Sequence, residues 1–345
     1  MERMVAYLTA RRQIELRPAP MPRPGPGEVL IRMKAVGVCG SDVSYFVNGR
    51  TGVGEIRFPH ILGHECAGLV AQVGEGVDGL LPGDRVTTEP GYYCGVCDAC
   101  TSGRYNLCRH MSFMGSAVAD AYGEGALTQY TLRPAHLVFR LPDNASYEDG
   151  AMLEPFSVAL HAARRAGLGP GDRAAILGSG PIGASLLLVL RAIGVHSVLM
   201  TDMLPSRLAK MQALGASRVC NVEGLTFAET AALASNLDAV IDTTCAPQAV
   251  NASLHWLKKG GRLVQVGVPS GKAELDLQTL FNRGIDLKPS FRYANTYPAL
   301  LSLLEAGTLS SQGLITHRFP FERTQEAFDL AASRAEGVMK IVITF

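Results

Sequence analysis

The chain has 345 residues, 32 Lys and Arg against 31 Asp and Glu for a formal net charge of +1, and 47% hydrophobic residues. At roughly 150 residues per domain this is about two domains, and with no Lys/Arg run longer than a pair it lacks the clustered basic face that nucleic-acid binding requires. No stretch of ~18 apolar residues runs without charge, Gly or Pro, and the Arg-studded start has no apolar core behind it, so the sequence predicts a cytoplasmic protein with a small-molecule partner and no membrane segment.

From residue 4 to about 144, short apolar runs such as 28–33, 68–74 and 84–86 alternate with Gly and Pro punctuation, the texture of an all-β, barrel-like unit. Beyond that the pattern turns to α/β. A buried strand at 174–177 leads to a helix at 181–193, a strand at 197–201 and a helix at 205–214 closed by Gly215, and strands at 238–242 and 262–266 continue the series. Such alternation predicts a doubly wound parallel sheet. After about residue 286 the pattern stops, and a helix near 298–306 and a last strand at 340–345 are expected to pack back on the first domain.

Eight cysteines are too few for a disulfide scaffold, and five of them lie between Cys66 and Cys108, which favours a metal site in a reducing compartment. Cys94, Cys97, Cys100 and Cys108 follow C-x2-C-x2-C-x7-C. Four thiolates so spaced can wrap one tetrahedral ion and leave no open position, the signature of structural zinc; an iron–sulfur cluster is the main rival.

Gly178-Ser179-Gly180-Pro181-Ile182-Gly183 is a G-x-G-x-x-G between a strand and a helix, where backbone N–H groups can meet a pyrophosphate. At the end of the next strand stands Asp202, placed to accept hydrogen bonds from a ribose and to repel a 2′-phosphate, which favours NAD over NADP; the nearby Arg207 could instead receive that phosphate. The bland alternative is a Gly-rich turn without a ligand.

Cys39-Gly40-Ser41-Asp42 and Gly63-His64-Glu65 together offer a thiolate, an imidazole and a carboxylate, and three such ligands leave a fourth position for water or substrate, as in catalytic zinc sites. Glu154, an acid in the apolar stretch Met152-Leu153-Glu154-Pro155, competes with Glu65 for the third place, and spacing does not choose between them. The lone residues Cys66, Cys220, Cys245, His60, His136, His196 and His255 read as structural.

With these residues placed, the chain resembles the zinc-containing medium-chain dehydrogenases, and within them the polyol (sorbitol or xylitol) branch. The marks are Gly37-Val38-Cys39-Gly40-Ser41-Asp42, Leu62-Gly63-His64-Glu65, Pro82-Gly83-Asp84-Arg85-Val86, the cysteine lobe, Leu153-Glu154-Pro155, the glycine loop, and the segments 290–298 and 316–320. The resemblance implies a GroES-like catalytic domain at 1–155 with its zinc lobe at 94–108, a Rossmann domain at 156–285, and a return segment at 286–345 that completes the catalytic domain. It makes Cys39, His64 and Glu65 the catalytic zinc ligands, with Glu154 a nearby acid that reaches the ion through water or directly. Tyr45, Arg292 and Tyr293 would line the substrate site. Gly178, Gly180, Pro181, Ile182, Gly183, Asp202 and Arg207 would hold NAD, joined by Val266, Gly267, Val268, Phe291 and Arg292. Ser41 and Glu154 are the candidate proton acceptors. The implied activity is NAD-dependent oxidation of a polyol by a homotetramer, a dimer being the next choice, with L-idonate or galactitol as alternative substrates and a non-catalytic nucleotide- or zinc-dependent binding protein as the rival class. The Gly- and Ala-rich stretch 114–125 departs from the animal-type polyol pattern.

Overall fold

A computed structural model describes residues 1–52, 54–117, 123–269 and 271–345, so part of the 114–125 stretch lies outside the described residues. The chain divides into two compact units, Met1–Glu154 with Tyr297–Phe345, and Pro155–Thr296.

The second unit carries six parallel strands in the order Arg218–Asn221, Ser197–Asp202, Arg173–Leu177, Leu237–Asp242, Leu257–Gln265 and Asp286–Pro289. The two central strands are buried along nearly their whole length, which is why they read as continuous apolar runs. Numbered by sequence, this order is 3-2-1-4-5-6, and its direction reverses between Arg173–Leu177 and Leu237–Asp242, the place where such sheets bind ligands. Gly178 follows the first of these strands and leads into the helix Pro181–Ala192. Trp256, Leu257 and Leu263 anchor the core on this sheet. The expected return at residue 286 comes later than the sequence suggested. Asp286–Pro289 pairs with Leu257–Gln265 as a sixth parallel strand, so the unit keeps the chain through Thr296. Its mostly exposed residues lack the apolar run that marks the inner strands.

In the first unit a seven-stranded sheet runs Val138–Arg140, Arg85–Thr88, Glu65–Val73, Glu28–Gly37, Lys340–Thr344 and Ile315–Pro320, with Tyr130–Pro134 also paired to Glu28–Gly37. The last strand of the chain thus lies beside one of the first, Val342 opposite Gly37. A smaller sheet joins Gln13–Pro20, Glu2–Ala10 and His60–Ile61. Phe46 packs at a tilt against Phe328 with ring centroids 5.3 Å apart, tying the helix Gly40–Asn48 to Thr324–Ser333.

The helix Tyr147–Ala166 starts in the first unit and continues in the second, with Pro155 inside it. In the sequence this segment shows only the apolar stretch Met152-Leu153-Glu154-Pro155, because an interior proline argues against a helix. Its start is fixed by Asp149, whose carboxylate accepts the Ser146 N–H at 2.9 Å and hydroxyl at 2.6 Å, while the Ser146 hydroxyl accepts the Asp149 N–H at 3.0 Å. The other carboxylate oxygen accepts the N–H and hydroxyl of Ser311 at 2.7 and 2.8 Å, binding the return segment to the helix. Burial pushes the Asp149 carboxyl up, but the bonds from Ser146 and Ser311 outweigh it and hold it below the ordinary carboxylate value. Asp149→Ala is expected to lower stability by about 2 kcal/mol at neutral pH, read from the shift of the urea midpoint. Because the carboxyl is depressed in the folded chain, the deficit should shrink as pH falls below the ordinary carboxylate range.

Candidate metal centres and nucleotide site

Strand Glu28–Gly37 ends just short of Cys39, the extended N-cap residue of the helix Gly40–Asn48. Asp42, in the first turn, accepts the Cys39 N–H at 3.1 Å with one oxygen. Its other oxygen accepts the Gly63 N–H at 3.2 Å and faces His64 Nδ1 at 3.4 Å. One buried carboxylate therefore locks both halves of the candidate centre together. Burial pushes Asp42 up, yet His64 and the Cys39 and Gly63 amides hold it below its ordinary value. Burial pulls His64 down, and Asp42 and Cys39 more than reverse it. With Nδ1 turned to Asp42, Nε2 is the nitrogen left for a metal, the usual arrangement of a carboxylate-oriented histidine ligand.

Glu65 opens the strand Glu65–Val73 directly opposite Gly37. A Cβ at position 37 would sit 2.1 Å from Glu65 Oε2, so only glycine leaves room for this carboxylate. Glu65 is 1% exposed and pairs with the ammonium of Lys340, itself 2% exposed, which also donates to the Val38 carbonyl at 3.1 Å. Burial lowers the Lys340 pKa, but Glu65 and Cys39 outweigh it and keep the ammonium charged. The result is that Cys39 Sγ, a His64 ring nitrogen and a Glu65 oxygen lie within 4.8 Å of one another. This donor set fits a zinc ion with three protein ligands and one open position.

Glu154 is buried in the same unit but is not part of that group. Its charge acts on Lys340, Cys66 and Glu89. Ser41 is half-buried in the first turn after Cys39. Tyr45 is 1% exposed, and its hydroxyl oxygen accepts from Thr51 Oγ1 and from the Ala117 N–H, each at 3.0 Å. Cys66 lies in the apolar core of the first unit, where burial pushes its thiol up to about 12.

The cysteine lobe brings Cys94, Cys97, Cys100 and Cys108 together with Sγ separations of 3.5 to 3.9 Å. Tetrahedral zinc with bonds of about 2.3 Å would place its sulfurs roughly 3.8 Å apart, and disulfide sulfurs would be at ~2 Å. The four side chains thus fit an ion and not a pair of disulfides. Backbone N–H groups of Arg109 and Cys100 draw the Cys97 thiol down to about 6, and the N–H groups of Cys94 and His110 point at Cys108 Sγ at 3.4 and 3.3 Å. Amide donors of this kind stabilise thiolates.

In the second unit, Gly178 has φ +93, and a Cβ there would meet Thr243 Oγ1 at 2.6 Å. A Cβ on Gly183 would lie 2.0 Å from the Gly178 carbonyl, so the third glycine sets how closely helix meets strand. Gly180 has nothing within 4 Å of its Cβ position, an open place where backbone can approach a pyrophosphate. Pro181 stands at the first position of the helix, and Ile182 is half-buried next to it. Asp202 accepts the Ser179 N–H at 2.8 Å and the Leu204 N–H at 2.9 Å, and Arg207 stands 3.9 Å from it. Val266, Gly267 and Val268 follow the strand Leu257–Gln265, Val268 being exposed. Phe291 is exposed, Arg292 lies over its ring at φ +50, and Tyr293 is buried; all three belong to this unit.

Three side chains of the first unit escaped the sequence reading. Asp42 carried a signal, three residues past an N-cap. Lys340 is one charge at the start of an apolar run, and only the strand pairing shows that it meets Glu65. Glu89, 5% exposed, follows the strand Arg85–Thr88 without any motif of its own.

Residues 25–143 match the family model of the alcohol dehydrogenase GroES-like domain, and residues 181–306 that of zinc-binding dehydrogenases. Sorbitol dehydrogenase of Bacillus subtilis is 38% identical over 98% of this chain and 96% of its own, and L-idonate 5-dehydrogenase of Vitis vinifera 38% identical over 99% and 94%. Among solved structures, an Escherichia coli alcohol dehydrogenase complexed with NADH aligns at TM-score 0.91 and 26% identity over 100% of this chain and 99% of its own. A zinc-binding dehydrogenase of Sinorhizobium meliloti bound to NADP aligns at 0.90 and 25% over 100% of both.

Asp42→Asn, which keeps the shape but weakens the acceptor facing His64, is expected to lower zinc affinity at the Cys39 site by about 10- to 100-fold in a chelator competition. Unchanged far-UV circular dichroism would show the fold intact.

Proposed function

The chain belongs to the zinc-binding alcohol dehydrogenase family of medium-chain dehydrogenases, and from that premise we propose that it oxidises a secondary hydroxyl of a polyol such as sorbitol or xylitol to the ketose, with NAD as hydride acceptor. The observation that carries the reading is the trio of half-buried Cys39 with buried His64 and Glu65, whose donor atoms lie within 4.8 Å of one another, a set of three that leaves a fourth position on a tetrahedral ion for substrate. Cys39, His64 and Glu65 hold the catalytic zinc, and Cys94, Cys97, Cys100 and Cys108 a second, structural one. At the first site the ion supplies a Lewis acid that makes an alcohol hydroxyl more acidic.

The chain's own residues do the rest. Glu154 takes the hydroxyl proton, being a buried carboxylate whose charge already acts on the groups of the site; Ser41 is the second candidate. The Arg292 guanidinium, always charged, has a donor fork suited to several hydroxyls of one polyol, with Tyr293 beside it in sequence. The amides after Gly180 and the open space at that residue receive the pyrophosphate, and Asp202 the ribose hydroxyls. Asp202 also sets the coenzyme. Its carboxylate repels a 2′-phosphate, and Arg207 stands within 3.9 Å of that same carboxylate, which favours NAD. Tyr45, whose hydroxyl oxygen accepts from Thr51 and from the Ala117 N–H and still carries its own O–H donor, lines the substrate site. In the cytoplasm the enzyme works as a homotetramer, or failing that a dimer. Support for self-association is the edge strand Asp286–Pro289 together with Leu277, Phe281 and Leu287, all exposed in the second unit.

The grapevine relative, as similar as the sorbitol dehydrogenase, supports L-idonate as the second reading. Steady-state kcat/KM on sorbitol, xylitol, galactitol and L-idonate with each coenzyme separates the two. Sorbitol or xylitol with NAD is expected to lead, and a lead of about tenfold or more for L-idonate would favour the second reading. Asp202→Ala should raise kcat/KM for NADP relative to NAD by about tenfold or more, Arg207 being released to meet the phosphate.

A further inference from the structure

Glu89 is a buried acid with no part in the steps above. Its backbone is tied on both sides, the N–H donating to the Leu137 carbonyl at 2.9 Å and its own carbonyl accepting from Arg133 Nη2 at 2.7 Å. Arg133 is 1% exposed and also donates to Thr88 Oγ1 at 3.3 Å. The carboxylate accepts the Tyr105 hydroxyl at 3.3 Å, and Tyr105, half-buried, is held by a stack on Tyr93 with ring centroids 4.3 Å apart. The charged and titratable groups that face Glu89 are Arg133, Glu154, Tyr105 and Tyr93. A structural acceptor for Tyr105 would not need a charge, since Gln would serve as well, whereas a second buried carboxylate near Glu154 is costly to keep ionised.

We propose that Glu89 is the proton-holding residue of the first unit, taking up through Glu154 the proton released by the substrate hydroxyl and passing it to solvent by way of the Tyr105 hydroxyl. This rests on the alcohol-oxidising reading. In that reaction the C–H pair leaves as hydride and reduces NAD, the carbonyl forms, and one proton is left over. Glu154 accepts it and transfers it to Glu89. Protonated Glu89 then donates to the Tyr105 oxygen while the Tyr105 O–H gives its proton to water, so one proton leaves for each hydride and no further reactant is needed. The 3.3 Å bond to Tyr105 supports the outward step, and the charge of Glu154 felt at Glu89 supports the inward one. Burial first, then the charge of Glu154, raise the Glu89 carboxyl to about 7 against the opposing pull of Tyr105 and Arg133, so that it can both take and release a proton near neutrality.

The test compares zinc-loaded wild type with Glu89→Gln, which keeps an acceptor for Tyr105, and with Tyr105→Phe, which keeps the ring stack. Infrared titration of the wild type should show a protonated-carboxyl band that disappears as pH rises through about 7 and is missing in Glu89→Gln. Native Glu89 binds more protons than the unfolded chain between about 4.5 and 7, so wild type should lose melting temperature relative to Glu89→Gln as pH rises through that window. With sorbitol, kcat should fall about tenfold or more in Glu89→Gln and lose its inflection near 7, at little change in KM, and Tyr105→Phe should lower kcat while keeping the infrared band. A band and a melting difference that do not depend on Glu89, a wild-type kcat profile in Glu89→Gln, or an equal loss of kcat at every pH each overturns the proposal. If no polyol is oxidised, the infrared and melting arms still decide whether Glu89 holds the proton, so failure of the wider reading is told apart from failure of this one.

Discussion

A carboxylate and an ammonium that water barely reaches meet where three neighbouring strands of the first unit converge. Glu65 begins one strand, Gly37 ends the next, and Lys340 begins the third. Such a pair repays its desolvation only with good geometry and further hydrogen bonds, and removing one partner typically costs about 3–5 kcal/mol, a large share of a domain's margin of about 5–15 kcal/mol. Here the extra bond goes from Lys340 to the Val38 carbonyl, one residue before the cysteine. The pair thus fixes where Glu65 points and also anchors the backbone that carries Cys39.

Asp42 does for the imidazole what Lys340 does for the carboxylate. Its oxygens are shared among the Cys39 amide, the Gly63 amide and His64, so the segments bearing the thiolate and the imidazole cannot shift independently. Three donors of different chemistry are thereby fixed before any ion arrives, which lowers the reorganisation that binding would otherwise require. The cysteine lobe follows a different plan. Four like donors on one short loop close around a point, with amide N–H groups supporting the thiolates, and no position remains open for chemistry.

Much of this was legible in the residues, and the reasons are specific. The four-cysteine spacing lies on one loop, so local sequence determines the site. The glycine loop is also local, and each glycine can be matched to a measurable constraint: a positive φ at Gly178, open space at Gly180, a 2.0 Å approach at Gly183. The choice between Glu65 and Glu154 could not be made by spacing, because it depends on which strand end lies across from Gly37. Lys340 was invisible for the same reason, its partner being 275 positions away and joined to it only through the sheet. The long helix Tyr147–Ala166 was missed because its proline argues locally against the helix that the Ser146–Asp149 cap begins. The strand Asp286–Pro289 is not legible because a mostly exposed edge lacks the apolar run of the inner strands.

The proposed function gives catalysis and stability to separate metal positions in one unit, and coenzyme binding to the loop and Asp202 of the other. Zinc content per chain, measured together with X-ray absorption at the zinc edge, addresses this assignment most directly. Two ions are predicted for the two donor groups, one in a shell of sulfur alone and one in a mixed shell of sulfur, nitrogen and oxygen, with only the mixed shell lost in Cys39→Ser. A single ion per chain in a pure sulfur shell, or a mixed shell that survives Cys39→Ser, would contradict it.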